Sequence, residues 1–160
     1  HYPLRRQRQM CIRDRRIEYD GADGNSVLTY SGDSDACEGL TEAARNADLF
    51  LCEAAYHEGR DAYRGIHLTG LRAGQTADAA DADELMLTHL PVWNSPTRAV
   101  REAAEAFTGP ISLAQPSTSY RIVADMDRTA GRVLARGRSV PSTTTTMRVI
   151  DPNTRGAETR

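Results

Sequence analysis

Four residues of this chain pair a chemically useful side chain with a position at the end of an apolar run. Asp33 follows "LTYSG", Glu53 closes "LFLCE", His89 closes "LMLTH", and His67 sits in "GIHLTG" just before a helix-start pattern. In layered α/β folds, reactive groups collect beyond the carboxyl ends of strands, where loops are exposed and their anchors rigid. If the three runs are neighbouring strands, two carboxylates and an imidazole meet on one rim, with His67 in the loop leaving the Glu53 strand. Oxygen and nitrogen donors together suit zinc or a similar divalent ion. Each residue also has a plainer reading: Asp33 as a turn or helix cap, Glu53 as a surface ion pair, His67 as a loop residue at a helix entry, His89 as a strand end. His57 and Glu58, in "YHEGR", read as exposed loop residues.

The elements that must place these groups are legible from period and punctuation. "RIEY" and "SVLTYSG" alternate like strands, and "DGADGN" between them suits a hairpin loop. "SDACEGLTEAARNA" follows as a helix, with Ser34 or Asp35 as its cap and Leu40, Ala43, Ala44 and Ala47 on one face. "DLFLCEA" is a buried strand in which Cys52 is core. Thr69 caps a small-residue helix reaching about Ala80, and "ELMLTH" is the next strand. Ser95 caps a helix with Pro96 in its first turn and Val100, Ala103, Ala104 and Phe107 on its inner face; "PISLAQP" and "SYRIV" finish as strands. Hairpin, then helix and strand in alternation, predicts an α/β layered fold with helices covering a sheet.

Composition narrows the classes. The 160 residues fit one domain, and no apolar run approaches the ~20 residues of a membrane helix, so the expected location is the cytoplasm. Every basic residue is arginine. Residues 1–16 carry net +5, residues 17–123 net −10 and residues 124–160 net +3, so an acidic body with basic ends offers no continuous positive stripe, and charge does not favour nucleic acid. Three cysteines, Cys11, Cys37 and Cys52, show no Cys-x-x-Cys spacing, which suggests neither a disulfide framework nor a zinc ribbon. No Gly-x-Gly-x-x-Gly loop follows a strand, which disfavours a nucleotide-binding Rossmann-like domain. "RRQRQMCIRDR" lacks either periodicity and resembles translated sequencing-adapter read-through, so residues 1–15 are expected to be a non-native, disordered leader. Residues 16–123 form the domain. Residues 124–160 read as a basic, Ser/Thr-rich tail, largely disordered, with one short helix near 126–136.

Taken in order, "YSGDS", "CEAAY", "HLTG" and "LTHLP" resemble the C-terminal half of the metallo-β-lactamase fold superfamily, nearest its ribonuclease Z-like branch. The resemblance implies that this chain is one half of a four-layer αβ/βα sandwich. It assigns Asp33 in "SGDS" as an aspartate shared by two metal ions, with Ser34 where threonine is usual, and His89 as a ligand to the second metal. Glu53 in "EAA" and His67 in "HLT" stand where the branch carries glutamate-alanine-threonine and histidine-serine-threonine segments, which implies a proton-relay pair. The residues after each key group depart from that pattern. The resemblance implies hydrolysis by a hydroxide shared between two metal ions, zinc being expected, and ribonuclease Z-like enzymes cut a phosphodiester in precursor tRNA; the acidic body here makes a small phosphodiester or ester the expected substrate rather than RNA. The superfamily's first metal motif, His-any-His-any-Asp-His, does not occur in these residues and is expected upstream, so this fragment alone is expected to be inactive and to expose the sheet face its other half covers. The alternative is a non-catalytic α/β interaction module, or a degenerate relative without metal; a homodimer fits either reading.

Overall fold

In a computed structural model of the chain, the structure describes residues 14–21, 24–122 and 149–150. The expected tail helix near 126–136 and almost all of the expected leader lie outside them. Strands β1 (Arg15–Gly21) and β2 (Gly24–Tyr30) form the expected hairpin, paired antiparallel with Ile17 opposite Leu28. Both strands run further into the "DGADGN" segment than the sequence suggests, Gly21 pairing with Gly24. Helix α1 (Glu38–Ala44) leads to β3 (Leu49–Glu53), α2 (Gly70–Ala79) to β4 (Leu85–Thr88), and α3 (Pro96–Ala104) to β5 (Ile111–Leu113).

These strands make a five-stranded sheet in the order β1-β2-β3-β4-β5, parallel from β2 onward. Parallel neighbours need a crossover, and each of the three helices supplies one. The architecture is the α/β layered one expected. Phe50 and Cys52 of β3 and Leu85 and Leu87 of β4 are fully buried in one cluster with Leu40, Ala44, Ala73, Ala77, Ala99 and Ala103 of the helices. On β1, Ile17 and Tyr19 stay 54% and 65% exposed. Ile17 pairs with Leu28 and Leu28 with Leu49, one residue out of phase with Phe50, so this apolar row lies on the sheet face turned from the helices.

Alanine and glycine on α2 and α3 serve close approach. A Cβ on Gly74 would lie 3.0 Å from the Cα and 3.1 Å from the carbonyl carbon of Ala103, so the two helices pack backbone to backbone. The caps of these helices are the ones the sequence indicates: Thr69 accepts from the Arg72 N–H and Ser95 from the Arg98 N–H. On α3, however, Ala99, Glu102 and Ala103 are buried and Ala104 is exposed, which turns the inner face one position from that expected.

Three further expectations are corrected. The cap of α1 is Cys37, not Ser34 or Asp35: the helix begins at Glu38, the Ser34 hydroxyl donates to the Ser31 carbonyl, and the Asp35 carboxylate is taken by Gly65 and Arg72. Cys37 is also disulfide-bonded, which an odd cysteine count did not suggest. The strand in "SYRIV" is β6 (Ser119–Tyr120), which pairs with β7 (Val149–Ile150) instead of joining the main sheet.

Candidate functional site

The parallel register brings the ends of β2, β3 and β4 together. Glu53 pairs with Thr88, and the Ala54 N–H continues the ladder to the Thr88 carbonyl at 3.0 Å. Ser31 extends β2 by donating its N–H to the Leu51 carbonyl at 3.0 Å, and its hydroxyl accepts the Glu53 N–H at 2.9 Å. Gly32, at φ 58°, then turns the chain so that Asp33 swings over the strand ends, a backbone state that glycine adopts without penalty. His89 takes a left-handed φ of 54° directly after β4. A non-glycine residue there costs conformational energy, and such outliers concentrate at functional sites.

Glu53 is the hub. Its carboxylate is fully buried and accepts three donors: the Ser34 N–H at 2.8 Å and His67 Nδ1 at 2.8 Å on Oε1, and the Ala55 N–H at 3.2 Å on Oε2. Burial pushes its pKa above the ordinary carboxylate value of 4.5, and the His67 hydrogen bond pulls it back. An ionised carboxylate only accepts, so the proton of the shared bond sits on Nδ1 and leaves Nε2 of His67 as the atom able to exchange protons. The Tyr56 ring stands nearly perpendicular to the imidazole, centroids 5.1 Å apart.

His89 completes the group. Its Nδ1 lies 3.3 Å from Asp33 Oδ1 and 4.0 Å from Glu53 Oε2, and its ring is 5.3 Å from that of His67. Donor atoms of Glu53, His67 and His89 all fall within 4.8 Å of one another, and Asp33 stands on the solvent side, 42% exposed against 44% for His89. Burial and the negative charges of Asp33 and Glu53 raise the Tyr30 pKa, which marks the locality as anionic. Glu53, His67 and His89 are close enough to hold an ion, but Glu53 and His67 are already hydrogen-bonded to each other, so Asp33 and His89 are the donors left to offer a divalent cation of borderline character, two of the ligands it needs.

The structure thus gathers all four expected residues. It does not bear out the ion-pair reading of Glu53, which has no exposed surface. His57 is not an exposed loop residue: it is 2% exposed, 3.6 Å from Glu102, and both ring nitrogens lack a hydrogen-bond partner among the described residues. Burial lowers its pKa from the usual 6.5. Glu58 is half-buried and accepts the Thr69 hydroxyl at 2.7 Å. Sequence reasoning also missed Asn94, whose amide donates to the Ala55 carbonyl at 2.6 Å and ties the loop after His89 to the end of β3. Missed too was Asp35, buried beside the Asp33 turn; its signal was a second aspartate two positions on in "SGDSD".

An uncharacterized protein of Mycobacterium leprae is 41% identical over 97 residues, 61% of this chain and 34% of the relative. The probable metallo-hydrolase YhfI of Bacillus subtilis is 31% identical over 93 residues, 58% of this chain and 38% of its own. A ribonuclease Z of Bacillus velezensis is 41% identical over 66 residues, 40% of this chain and 21% of its own. The crystal structure of YhfI, described as a metallo-beta-lactamase fold protein, superposes with a TM-score of 0.54 at 25% identity, covering 64% of this chain and 46% of that one. The chain spans about a third of the length of the curated relatives it matches. No protein-family model matches it.

Proposed function

We propose, from the premise that this chain belongs to the metallo-β-lactamase fold superfamily, that it carries part of the catalytic site of a metal-dependent hydrolase acting on a small phosphodiester or ester. The observation that supports this reading best is the His67–Glu53 pair, closed at 2.8 Å and facing His89 and Asp33 across a shared rim. Asp33 and His89 would hold the metal, zinc being preferred, with two ions in the intact protein. A bound divalent ion supplies positive charge against the scissile group and acidifies the attacking water.

The chain's own residues do the rest. Glu53, with all three donors fixed, orients the His67 ring and keeps its proton on Nδ1. His67 Nε2 then delivers a proton to the departing oxygen, which would otherwise leave as a poor, fully charged group. The Tyr56 ring packs against the imidazole, nearly perpendicular to it. The acidic body, net −10 over residues 17–123, favours a small substrate over a long nucleic acid backbone.

The test uses the protein encoded by the intact gene and a generic phosphodiester, bis-nitrophenyl phosphate. His67→Ala is expected to lower turnover by about 10²- to 10⁴-fold, the usual worth of a positioned acid, with metal content unchanged. Wild-type turnover in that variant refutes the relay. His89→Ala and Asp33→Ala are expected to lower metal content as well as turnover.

A further inference from the structure

The geometry points to Asp35 as a positioning residue that sets where His67 stands, an inference that rests on the relay reading above. Asp35 is 5% exposed and two positions after Asp33, so it is anchored to the same turn. Its carboxylate reaches across 30 residues of chain. Oδ2 accepts the Gly65 N–H at 2.6 Å, and Oδ1 accepts from Arg72 Nη1 and from the Ala36 N–H at 2.8 Å. Gly65 lies two residues before His67, in a left-handed turn at φ 83°. Arg72 lies in the first turn of α2, whose cap Thr69 is two residues after His67. One carboxylate therefore grips the histidine loop on both sides.

The downstream grip is itself braced. Arg72, 4% exposed, places Nε 3.3 Å from Thr69 Oγ1 and 3.5 Å from Glu58 Oε2, and the Thr69 hydroxyl donates to the same Glu58 oxygen. Between Gly65 and Thr69 the segment is also held by Leu68, buried in the core with its carbonyl accepting the Tyr56 N–H at 2.9 Å, by the Tyr56–Thr69 bridge and by the reach of His67 to Glu53; the Asp35–Gly65 bond fixes the loop upstream of these. A buried ion pair is a poor source of net stability, since desolvation offsets most of the attraction. Its constraint on geometry is the greater effect here. Freed at Gly65, the turn can relax, and a shift of about 1 Å is enough to open the 2.8 Å contact between Nδ1 and Glu53.

Two paired variants separate positioning from folding. Asp35→Ala with Arg72→Met removes both charges together, so no buried charge is orphaned, and removes the acceptor for Gly65. Asp35→Asn with Arg72→Gln also removes both charges but keeps an amide oxygen for the Gly65 N–H. The first readout is the slowly exchanging Nδ1–H proton resonance of His67 in this chain, followed by NMR with the amide spectrum as the measure of fold. The second is kcat and KM of the intact-gene protein on bis-nitrophenyl phosphate. The Ala/Met pair is expected to keep the amide spectrum, lose the Nδ1–H resonance and lower kcat about 10- to 100-fold with KM little changed. The Asn/Gln pair is expected to restore both. Survival of the resonance in the folded Ala/Met pair overturns the proposal, as does its loss from the folded Asn/Gln pair, which decides alone if the Ala/Met pair does not fold. Failure of the relay reading is distinguishable: His67→Ala then leaves turnover intact while the resonance still depends on Asp35.

Discussion

Replacing Glu53 with glutamine changes one atom in a fully buried side chain, and its consequence can be worked from three hydrogen bonds. Oε1 serves two donors, Ser34 N–H and His67 Nδ1, while Oε2 serves only the Ala55 N–H. The better glutamine orientation therefore keeps its carbonyl toward Ser34 and His67 and sets its NH₂ against the Ala55 N–H. The Ala55 N–H loses its acceptor and faces a second donor, the glutamine NH₂, at a cost of about 1–3 kcal/mol for the lost bond. Against this stands the relief of no longer burying a charge. Because burial lifts the Glu53 pKa above 4.5, the folded state binds its proton more tightly than the unfolded chain. Wild-type stability then falls as pH rises from 4.5 through the folded value, while Glu53→Gln lacks that decline. The deficit of the variant should be about 1–3 kcal/mol below pH 4.5 and should narrow toward neutrality, other titrating groups cancelling in the difference. Urea unfolding of both proteins across that range measures it. A deficit that widens with pH would show that the three donors outweigh burial, and that the folded carboxyl titrates below 4.5. Turnover in the intact-gene protein should fall even at neutral pH, where the stabilities approach each other, because the amide leaves His67 without a charged partner.

Gly74→Ala should gain about 1 kcal/mol in helix propensity but force the α2 and α3 backbones apart at Ala103, where neither side can rotate away; overpacking costs of about 1–3 kcal/mol make net destabilisation the expected outcome, and a higher urea midpoint refutes the packing argument. For His57, burial lowers the folded pKa from 6.5, so the unfolded chain binds more protons below that value and stability falls as pH drops through 6.5 toward the folded pKa. His57→Leu should flatten this acid limb in thermal melts, and an unchanged slope would place the titration elsewhere. The chain by itself should not carry stoichiometric zinc through gel filtration, since Asp33 and His89 do not close a coordination shell; retained zinc would show that Glu53 and His67 act as ligands rather than as a relay.

Sequence alone determined what is local. Thr69 before "GLRAGQTADA" and Ser95-Pro96 before "TRAVREAA" cap their helices because a cap needs only a side-chain oxygen and the N–H groups of the next turn. Alternating short apolar runs and helices gave parallel neighbours, and with them the meeting of Asp33, Glu53 and His89 at one rim, since each residue ends or follows its own strand. Tertiary structure decided the rest. Whether Asp35 or Cys37 would cap α1 depended on the Asp35 carboxylate being claimed by Gly65 and Arg72, partners 30 and 37 residues away. His57 looked like a loop residue because nothing in "YHEGR" tells that Glu102, on a helix more than forty residues on, closes over it. Burial of a polar group is set by what approaches from other parts of the chain, and short-range pattern carries no record of that approach.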